Sequence, residues 1–401
     1  MGRKKVDAWA DITADLDGHI AQHERQLTGT VKFEGARREW NNEACEREMD
    51  VTIEDLLRDD YYLGSYNIWP SIMEEIEDIW HKRCDYDIVM RRGDKVIKKD
   101  NVYALSFEHA KKKAIQKWNT AAADADSIYV YRSNNIHTVC LELPKGTGKD
   151  FEMSLIMWLL TREFLIMPRE DFFGPYNLDH DTTVAIILLN RTEDQARDVT
   201  FKEILPRVRS PFFLDYFPPH VDLEEIENTR RYPRELRFPR NVVIFPGSGS
   251  AASALGYCIA ASCIDEANFM ARSNTSKQSI FGSDSYDAAA ESYMDLFQRM
   301  ESRFGALRNG QMTYAGLSIV ISSSRTRNDF TQVLGRRSQQ NQGIYYKRIP
   351  FWERKPLDLS GETFQFDVAN MSIMDLNNAQ AAYKDLMRRN SAMGDIEMFE
   401  E

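Results

Sequence analysis

The stretch Leu143-Pro144-Lys145-Gly146-Thr147-Gly148-Lys149-Asp150 constrains this chain more than any other. An apolar run at 138–143 leads into it, and an apolar-rich helical pattern over 151–165 leads out. Strand, glycine turn, lysine and helix is the layout of a phosphate-binding loop. Glycines let backbone N–H groups turn inward onto an anion. The helix N-terminus adds positive potential there, and Lys149 supplies a point charge for β- and γ-phosphates. Two positions depart from the usual pattern. Leu143 stands where a glycine is common, and Asp150 stands where Ser or Thr usually follows the lysine. On this stretch alone, a glycine turn that merely caps a core helix reads the same way, so the rest of the chain decides.

A second apolar run, 259–264, ends in Asp265-Glu266-Ala267. Adjacent carboxylates at the end of a buried strand suit a nucleotide hydrolase: Asp265 to hold Mg²⁺, directly or through water, and Glu266 to orient and deprotonate an attacking water. An Asp-Glu pair elsewhere usually just caps a helix. Further continuous apolar runs lie at 183–189 and 317–321, as a parallel sheet covered on both faces requires. The latter ends in Ser322-Ser323-Ser324-Arg325, short hydroxyl side chains that either sense a γ-phosphate or satisfy turn backbone.

Between these runs the pattern is helical. Apolar spacing predicts a helix over 71–81, with Ser71 and Glu74 as a capping box after Pro70. A basic helix follows over 109–118, and its lysines near Trp118 either touch DNA phosphates or form a solvated face. A turn falls at Arg91-Arg92-Gly93-Asp94. The segment 192–209 reads as a helix capped by Thr192, with Ser210-Pro211-Phe212-Phe213 ending that unit. Residues 214–240 read as a surface connection and 271–288 as a mobile loop. A helix over 289–304 carries Arg299 and Arg303, and a later one Arg336 and Arg337, before a strand at 344–349.

Composition narrows the class. With 401 residues, 43% apolar and 28% charged, the chain has ample material for a large core. A net charge of −11 argues against coating nucleic acid through bulk charge, though a local basic groove is compatible with it. Five scattered cysteines with no CxxC pair argue against a zinc site or disulfide framework. No apolar window is long enough to span a bilayer, so no membrane role is expected, nor a signal peptide. Residues 1–60 read as a helical accessory segment or solvated arm, with helices over 8–27 and 37–49. Residues 61–360 read as a P-loop ATPase domain, and 361–401 as a tail or linker.

Taken in order, these elements resemble the ATPase domain of the large terminase subunit of tailed bacteriophages. The ordered set is the loop Lys145–Asp150, Pro168, the strand-to-helix segment with Gln195-Ala196, Ser210-Pro211-Phe212-Phe213, Gly256, Asp265-Glu266-Ala267, the serine segment and the tail at 379–387. It covers about residues 62–390. The resemblance implies an α/β fold: a P-loop NTPase of the additional-strand type, with a mostly parallel sheet and helices on both faces. It implies an ATP- and Mg²⁺-dependent motor that moves double-stranded DNA into a procapsid. It also implies self-association into a ring on the portal protein, a small terminase subunit as partner, and a location in the cytoplasm of the infected bacterium.

By the same resemblance, Lys145, Gly146, Thr147, Gly148, Lys149, Asp150 and Phe151 contact nucleotide. Asp265 serves the metal, and Glu266 with Lys149 serve catalysis. Asp150 is a departure from the family pattern; a carboxylate beside a triphosphate is repulsive unless Mg²⁺ lies between them, so Asp150 is expected close to the metal, directly or through a water. Ser322, Ser323 and Ser324 couple hydrolysis to movement. Many terminases carry an arginine before the glycine equivalent to Gly256; here it is Leu255, so Arg303, Arg299, Arg325 or Arg191 is left to act as a finger. Arg325, Arg327, Arg336 and Arg337 are candidate DNA contacts. Only 41 residues follow position 360 (401 − 360), too few for the family's nuclease domain, so no nuclease activity is expected. Two other readings stay open: another helicase-like P-loop translocase, and a non-hydrolysing nucleotide-binding adaptor.

Overall fold

A computed structural model describes residues 30–179, 181–220, 235–247, 257–270, 272–273, 286–326, 328–354, 365–367 and 372–374. Its organising element is a seven-stranded sheet fed by helices on both faces. The chain enters through α1 (Asn42–Met49), α2 (Ile53–Arg58) and α3 (Pro70–Cys84). Next come β1 (Asp85–Arg92), β2 (Lys95–Tyr103), α4 (Phe107–Lys117) and β3 (Ser127–Arg132). The sheet proper starts with β4 (Thr138–Glu142), followed by α5 (Lys149–Ile166) and β5 (Val184–Leu189). It continues through β6 (Leu236–Phe238), β7 (Val242–Gly247) and β8 (Cys258–Asp265). The last elements are α6 (Ala288–Phe304), β9 (Leu317–Ser322), α7 (Phe330–Ser338) and β10 (Ile344–Arg348).

Strand order is β10–β4–β9–β8–β5–β7–β6. Every neighbour pair is parallel except β6 against β7. The strand before the phosphate loop, β4, and the strand ending in Asp265, β8, are therefore not adjacent: β9 is inserted between them. That is the additional-strand P-loop arrangement. The strands are continuous apolar runs because both faces are covered. Val139, Leu141, Ile319 and Ile321 face a core built on α5, while Cys140, Val320 and Ile264 face the core of α6 and α7. Helix α5 is buried nearly all round, from Glu152 to Ile166, as its lack of a polar face requires.

Several local expectations change. Residues 30–58 are no solvated arm. Trp40 packs against Phe217 with ring centroids 4.8 Å apart, and Glu48 forms a buried pair with Arg162 at 2.8 Å. The helix expected over 37–49 starts at Asn42, because the Asn41 side chain accepts the Ala44 N–H and caps it there. There is no capping box at Ser71: α3 starts with Pro70 at its first position, and the Ser71 hydroxyl donates to the Arg354 carbonyl. Ser210-Pro211-Phe212-Phe213 begins a helix, Pro211–Tyr216, rather than only ending one. Phe212 and Phe213 pack against Trp158. Within 271–288, Arg272–Ser273 pairs with Tyr286–Asp287, and Ala288 already starts α6, capped by the Asp287 side chain. The expectations at 8–27, 255–256 and 379–387 lie outside the described residues.

The stretch before the sheet holds an element not assigned from the sequence. Strands β2–β1–β3 form an antiparallel sheet with α4 on one face, around Tyr86, Ile88, Met90, Phe107 and Val130. The turn read at Arg91–Asp94 is the β1–β2 hairpin; Gly93 has φ +55° and donates its N–H to Asp126. Among the described residues, no helix is long and apolar enough to cross a membrane.

Candidate nucleotide site

The loop after β4 turns through two left-handed glycines, Gly146 (φ +74°) and Gly148 (φ +77°), a conformation that strains any residue with a Cβ. Thr147 is buried, and its hydroxyl donates to the Pro144 carbonyl at 2.6 Å, closing the turn. Gly148 then caps α5, so Lys149 leaves the first turn of the helix.

The Lys149 side chain crosses to the end of β8. Its ammonium lies 3.4 Å from Asp265 Oδ1, 3.4 Å from Asp150 Oδ1, and in direct contact with Glu266 Oε1. Burial alone would push the ammonium toward its neutral form, but the three carboxylates outweigh it and hold Lys149 firmly protonated. Asp265 is almost fully buried. Burial raises it to about 6, Asp150 and Glu266 push the same way, and Lys149 opposes them. Its second oxygen accepts from Asn190 Nδ2 at 2.9 Å and from the Thr200 hydroxyl at 3.4 Å. Glu266 sits at φ +52°, an uncommon place for a residue with a side chain, which costs about 1–2 kcal/mol. That turn takes its carboxylate off the strand line and onto Lys149. Strain of this kind concentrates at functional positions.

Glu266 Oε2 is buried with no hydrogen-bond partner, and Asp150 Oδ1 has none beyond its ion pair with Lys149. Hard carboxylate oxygens with spare accepting capacity beside Asp265 fit a Mg²⁺ ion or its waters. Among the described residues, no group of three or more acidic, His or Cys side chains is arranged to hold a metal by itself. A magnesium ion here therefore needs phosphate oxygens as well, which is its usual mode of binding at nucleotide sites.

Around this centre the other candidates fall into two groups. Lys145 and Arg325 lie near the mouth, over the same ring, Phe269, at 5.0 and 5.6 Å. Arg191 is exposed and adjoins Asn190. Phe151 is half-buried under the Arg207 guanidinium at 4.8 Å. Ser322 and Ser323 end β9 beside the acid turn: the Asn268 N–H donates to Ser322 Oγ at 3.0 Å, and its side-chain amide donates to the Ser323 carbonyl at 2.9 Å. Ser324 is half-buried just beyond. The second group is remote. Met300 packs where Gly316 approaches the Ala260 carbonyl, at the opposite end of the sheet, so Arg303 on the last turn of α6 and Arg299, paired with Asp295 at 2.9 Å, are not brought to Lys149. Arg336 and Arg337 are exposed on the last turn of α7, and Arg327 lies outside the described residues.

Asn190, Thr200 and Asn268 are site residues that sequence reasoning missed. Asn190 ends a buried strand, which is a usable signal. Thr200 reaches Asp265 from a π-helical stretch, Ala196–Phe201, that nothing in the sequence announces.

No curated protein matches the sequence. Solved structures similar to it include a point mutant of the large terminase ATPase domain of Thermus phage P74-26, at 14% identity, covering 54% of this chain and 77% of that one with a TM-score of 0.32. The unmutated domain is 11% identical, covering 51% and 65%, with a TM-score of 0.30. The HK97 bacteriophage large terminase is 16% identical over 67% of this chain, with a TM-score of 0.34; this chain spans 46% of that protein. The family model described as "Uncharacterized protein MJ0330, N-terminal P-loop domain" matches residues 73–377, and the chain belongs to that P-loop family.

Proposed function

We propose that this chain is the ATPase of a terminase-type motor, hydrolysing ATP to move double-stranded DNA into a procapsid. The observation that carries the hydrolase part is the meeting of Lys149 with Asp265 and Glu266, contributed by β4 and β8 across the inserted strand β9. The ordered motifs of the sequence support the packaging part.

In this reading the loop N–H groups and Lys149 bind the β- and γ-phosphates, and Lys149 exchanges its carboxylate partners for phosphate oxygens. Mg²⁺, when bound, neutralises phosphate charge. Asp265, oriented by Asn190 and Thr200, would hold it together with Asp150, and Glu266 accepts the proton of the attacking water. Arg325 and Arg191, both exposed, are the candidates this reading leaves to act on a neighbouring subunit's nucleotide in a ring.

The test is steady-state phosphate release by the full chain, with and without Mg²⁺ and duplex DNA, beside Glu266→Gln. The expected result is slow Mg²⁺-dependent turnover that DNA accelerates and the variant lacks. Absence of Lys149-dependent nucleotide binding overturns the site. Turnover indifferent to DNA overturns the translocase reading and leaves an NTPase of another kind. Binding without turnover under every condition returns the adaptor reading.

A further inference from the structure

Arg354, on the short helix Phe351–Arg354, is fully buried beneath the phosphate loop. Its Nη1 pairs with Glu75 of α3 at 2.7 Å, its Nη2 contacts Glu152 in the first turns of α5, and its Nε donates to the Thr147 carbonyl at 3.4 Å. Both carboxylates are themselves fully buried. A guanidinium and two carboxylates withdrawn from water make a costly arrangement. Well-packed apolar side chains of similar volume usually hold such a corner equally well or better. The cost points to something a hydrocarbon cannot supply.

What it supplies is direction. A trans peptide is planar, with its C=O and N–H on opposite sides. The Thr147 carbonyl belongs to the peptide whose N–H is that of Gly148. Holding the carbonyl toward Arg354 turns the Gly148 N–H the other way. Gly148 is the left-handed residue at the head of α5, directly before Lys149. Arg354 has donors in a rigid planar fork, so it can hold Glu152 and the Thr147 carbonyl in a fixed mutual geometry, which a lysine cannot. The start of α3 lines the same point: Ile72 and Trp69, the residue before the helix, come within 3.8 and 4.0 Å of where a Cβ on Gly148 would stand.

We propose that Arg354, with Glu75 and Glu152, is a positioning element for the phosphate loop, orienting the Thr147–Gly148 peptide so that its N–H serves an anion. This rests on the nucleotide-site reading above, deepens it, and adds a residue 205 positions downstream of Lys149 (354 − 149). Burial raises the carboxyl of Glu75, and Arg354 opposes the rise.

The test uses the full chain and a fluorescent ATP analogue. Two variants separate positioning from folding. The neutral triple variant Glu75→Gln, Glu152→Gln, Arg354→Met removes every charge together, leaving no unpaired buried ion. Arg354→Lys keeps a cation between the carboxylates but loses the fork. The wild type is measured first, and if it binds no nucleotide, the site reading fails before the present one is reached. With binding in hand, the expected result is a melting midpoint close to wild type, at least a tenfold weaker dissociation constant in the triple variant, a smaller weakening in Arg354→Lys, and faster amide exchange at 145–149 in both. Wild-type affinity in either folded variant overturns the proposal. So does a loss that appears only as a smaller folded fraction with an unchanged dissociation constant.

Discussion

Lys149→Met should destabilise the empty protein as well as abolish nucleotide binding. In the structure the ammonium is the shared counter-ion of Asp150, Asp265 and Glu266. At 3.4 Å and an effective dielectric near 20, one such pair is worth about 5 kcal/mol before desolvation. Breaking a buried pair by removing one partner costs about 3–5 kcal/mol net. The Asp150 side chain is 38% exposed and that of Glu266 25%, so solvent screens both, and the low end, about 3 kcal/mol at pH 8, is the expected loss. The pH dependence gives the reasoning a second handle. Asp265 already titrates at about 6, above the ordinary carboxylate range, and Lys149 is the neighbour that opposes the rise. Without it the value climbs further. A carboxyl raised in the folded state binds more protons there than in the unfolded chain, so the variant is best off at low pH and loses stability as pH climbs toward and past that value. Urea unfolding at pH 5 and pH 8, without nucleotide or Mg²⁺, should show a gap between wild type and variant that narrows by about 1 kcal/mol or more at pH 5. Equal stability at pH 8, or a gap that widens at pH 5, refutes the view that Lys149 neutralises the acid cluster.

Glu266→Gln should keep nucleotide affinity and lower phosphate release by about a hundredfold or more, since proton transfer by a positioned base contributes on that scale. Asn190→Ala removes the 2.9 Å bond to Asp265, worth about 1–2 kcal/mol, and should raise the Mg²⁺ concentration needed for tight nucleotide binding about tenfold in a fluorescence titration. His109 and His137 are held neutral, burial pushing each down to about 4. Their contribution is complete above about pH 6.5 and lost as pH falls toward 4, at up to about 3 kcal/mol each. Urea midpoints between pH 7 and 4.5 should fall accordingly, less steeply in His137→Gln. Asn268→Ala strands buried partners on Ser323 and Thr331 and should cost about 1–3 kcal/mol in urea unfolding. It should also slow turnover at saturating ATP more than it weakens nucleotide binding.

What was legible in the sequence follows from burial. Strands β4, β5, β8 and β9 are covered on both faces, so each is a continuous apolar run, and the chemistry at their ends could be read as ends: Lys149 beyond β4, Asp265-Glu266 closing β8, Ser322 closing β9. Of the antiparallel sheet before them, β1 does alternate at Asp85-Tyr86-Asp87-Ile88, but β2 carries Lys95, Lys98, Lys99 and Asp100 on an exposed hairpin, where no apolar alternation is required. Ser71 has the right spacing for a capping box, yet Pro70 already serves the first position and a distant carbonyl takes the hydroxyl; spacing cannot report a partner 283 residues away. The same limit hid Arg354, whose partners lie on α3, α5 and the loop. Thr200 was hidden differently: an extra residue in the helical turn, not the sequence pattern, aims it at Asp265.

The inserted strand also explains why a serine segment stands where it does. Because β9 lies between β4 and β8, its end touches both the approach to the phosphate loop and the acid turn. The Ser322 carbonyl accepts the Leu143 N–H at 3.0 Å on the loop side, and its hydroxyl accepts the Asn268 N–H at 3.0 Å on the acid side. Asn268, two residues past Glu266, also donates to the Thr331 hydroxyl at 2.9 Å; that hydroxyl donates to Glu142 at 2.6 Å, and Glu142 pairs with Arg348 at 3.2 Å. The network thus joins the ends of β4, β8, β9 and β10 to the start of α7, and its bonds lie where each is stronger for being out of water. The bonds at Ser322 link the strand that leads to Lys149 with the turn that carries Glu266. Hydroxyls suit that place because they accept from one side while their backbone is held on the other, and the Ser323 hydroxyl, buried without a hydrogen-bond partner, is still free to take a new one. Coupling in this reading is a consequence of strand order first and of serine chemistry second.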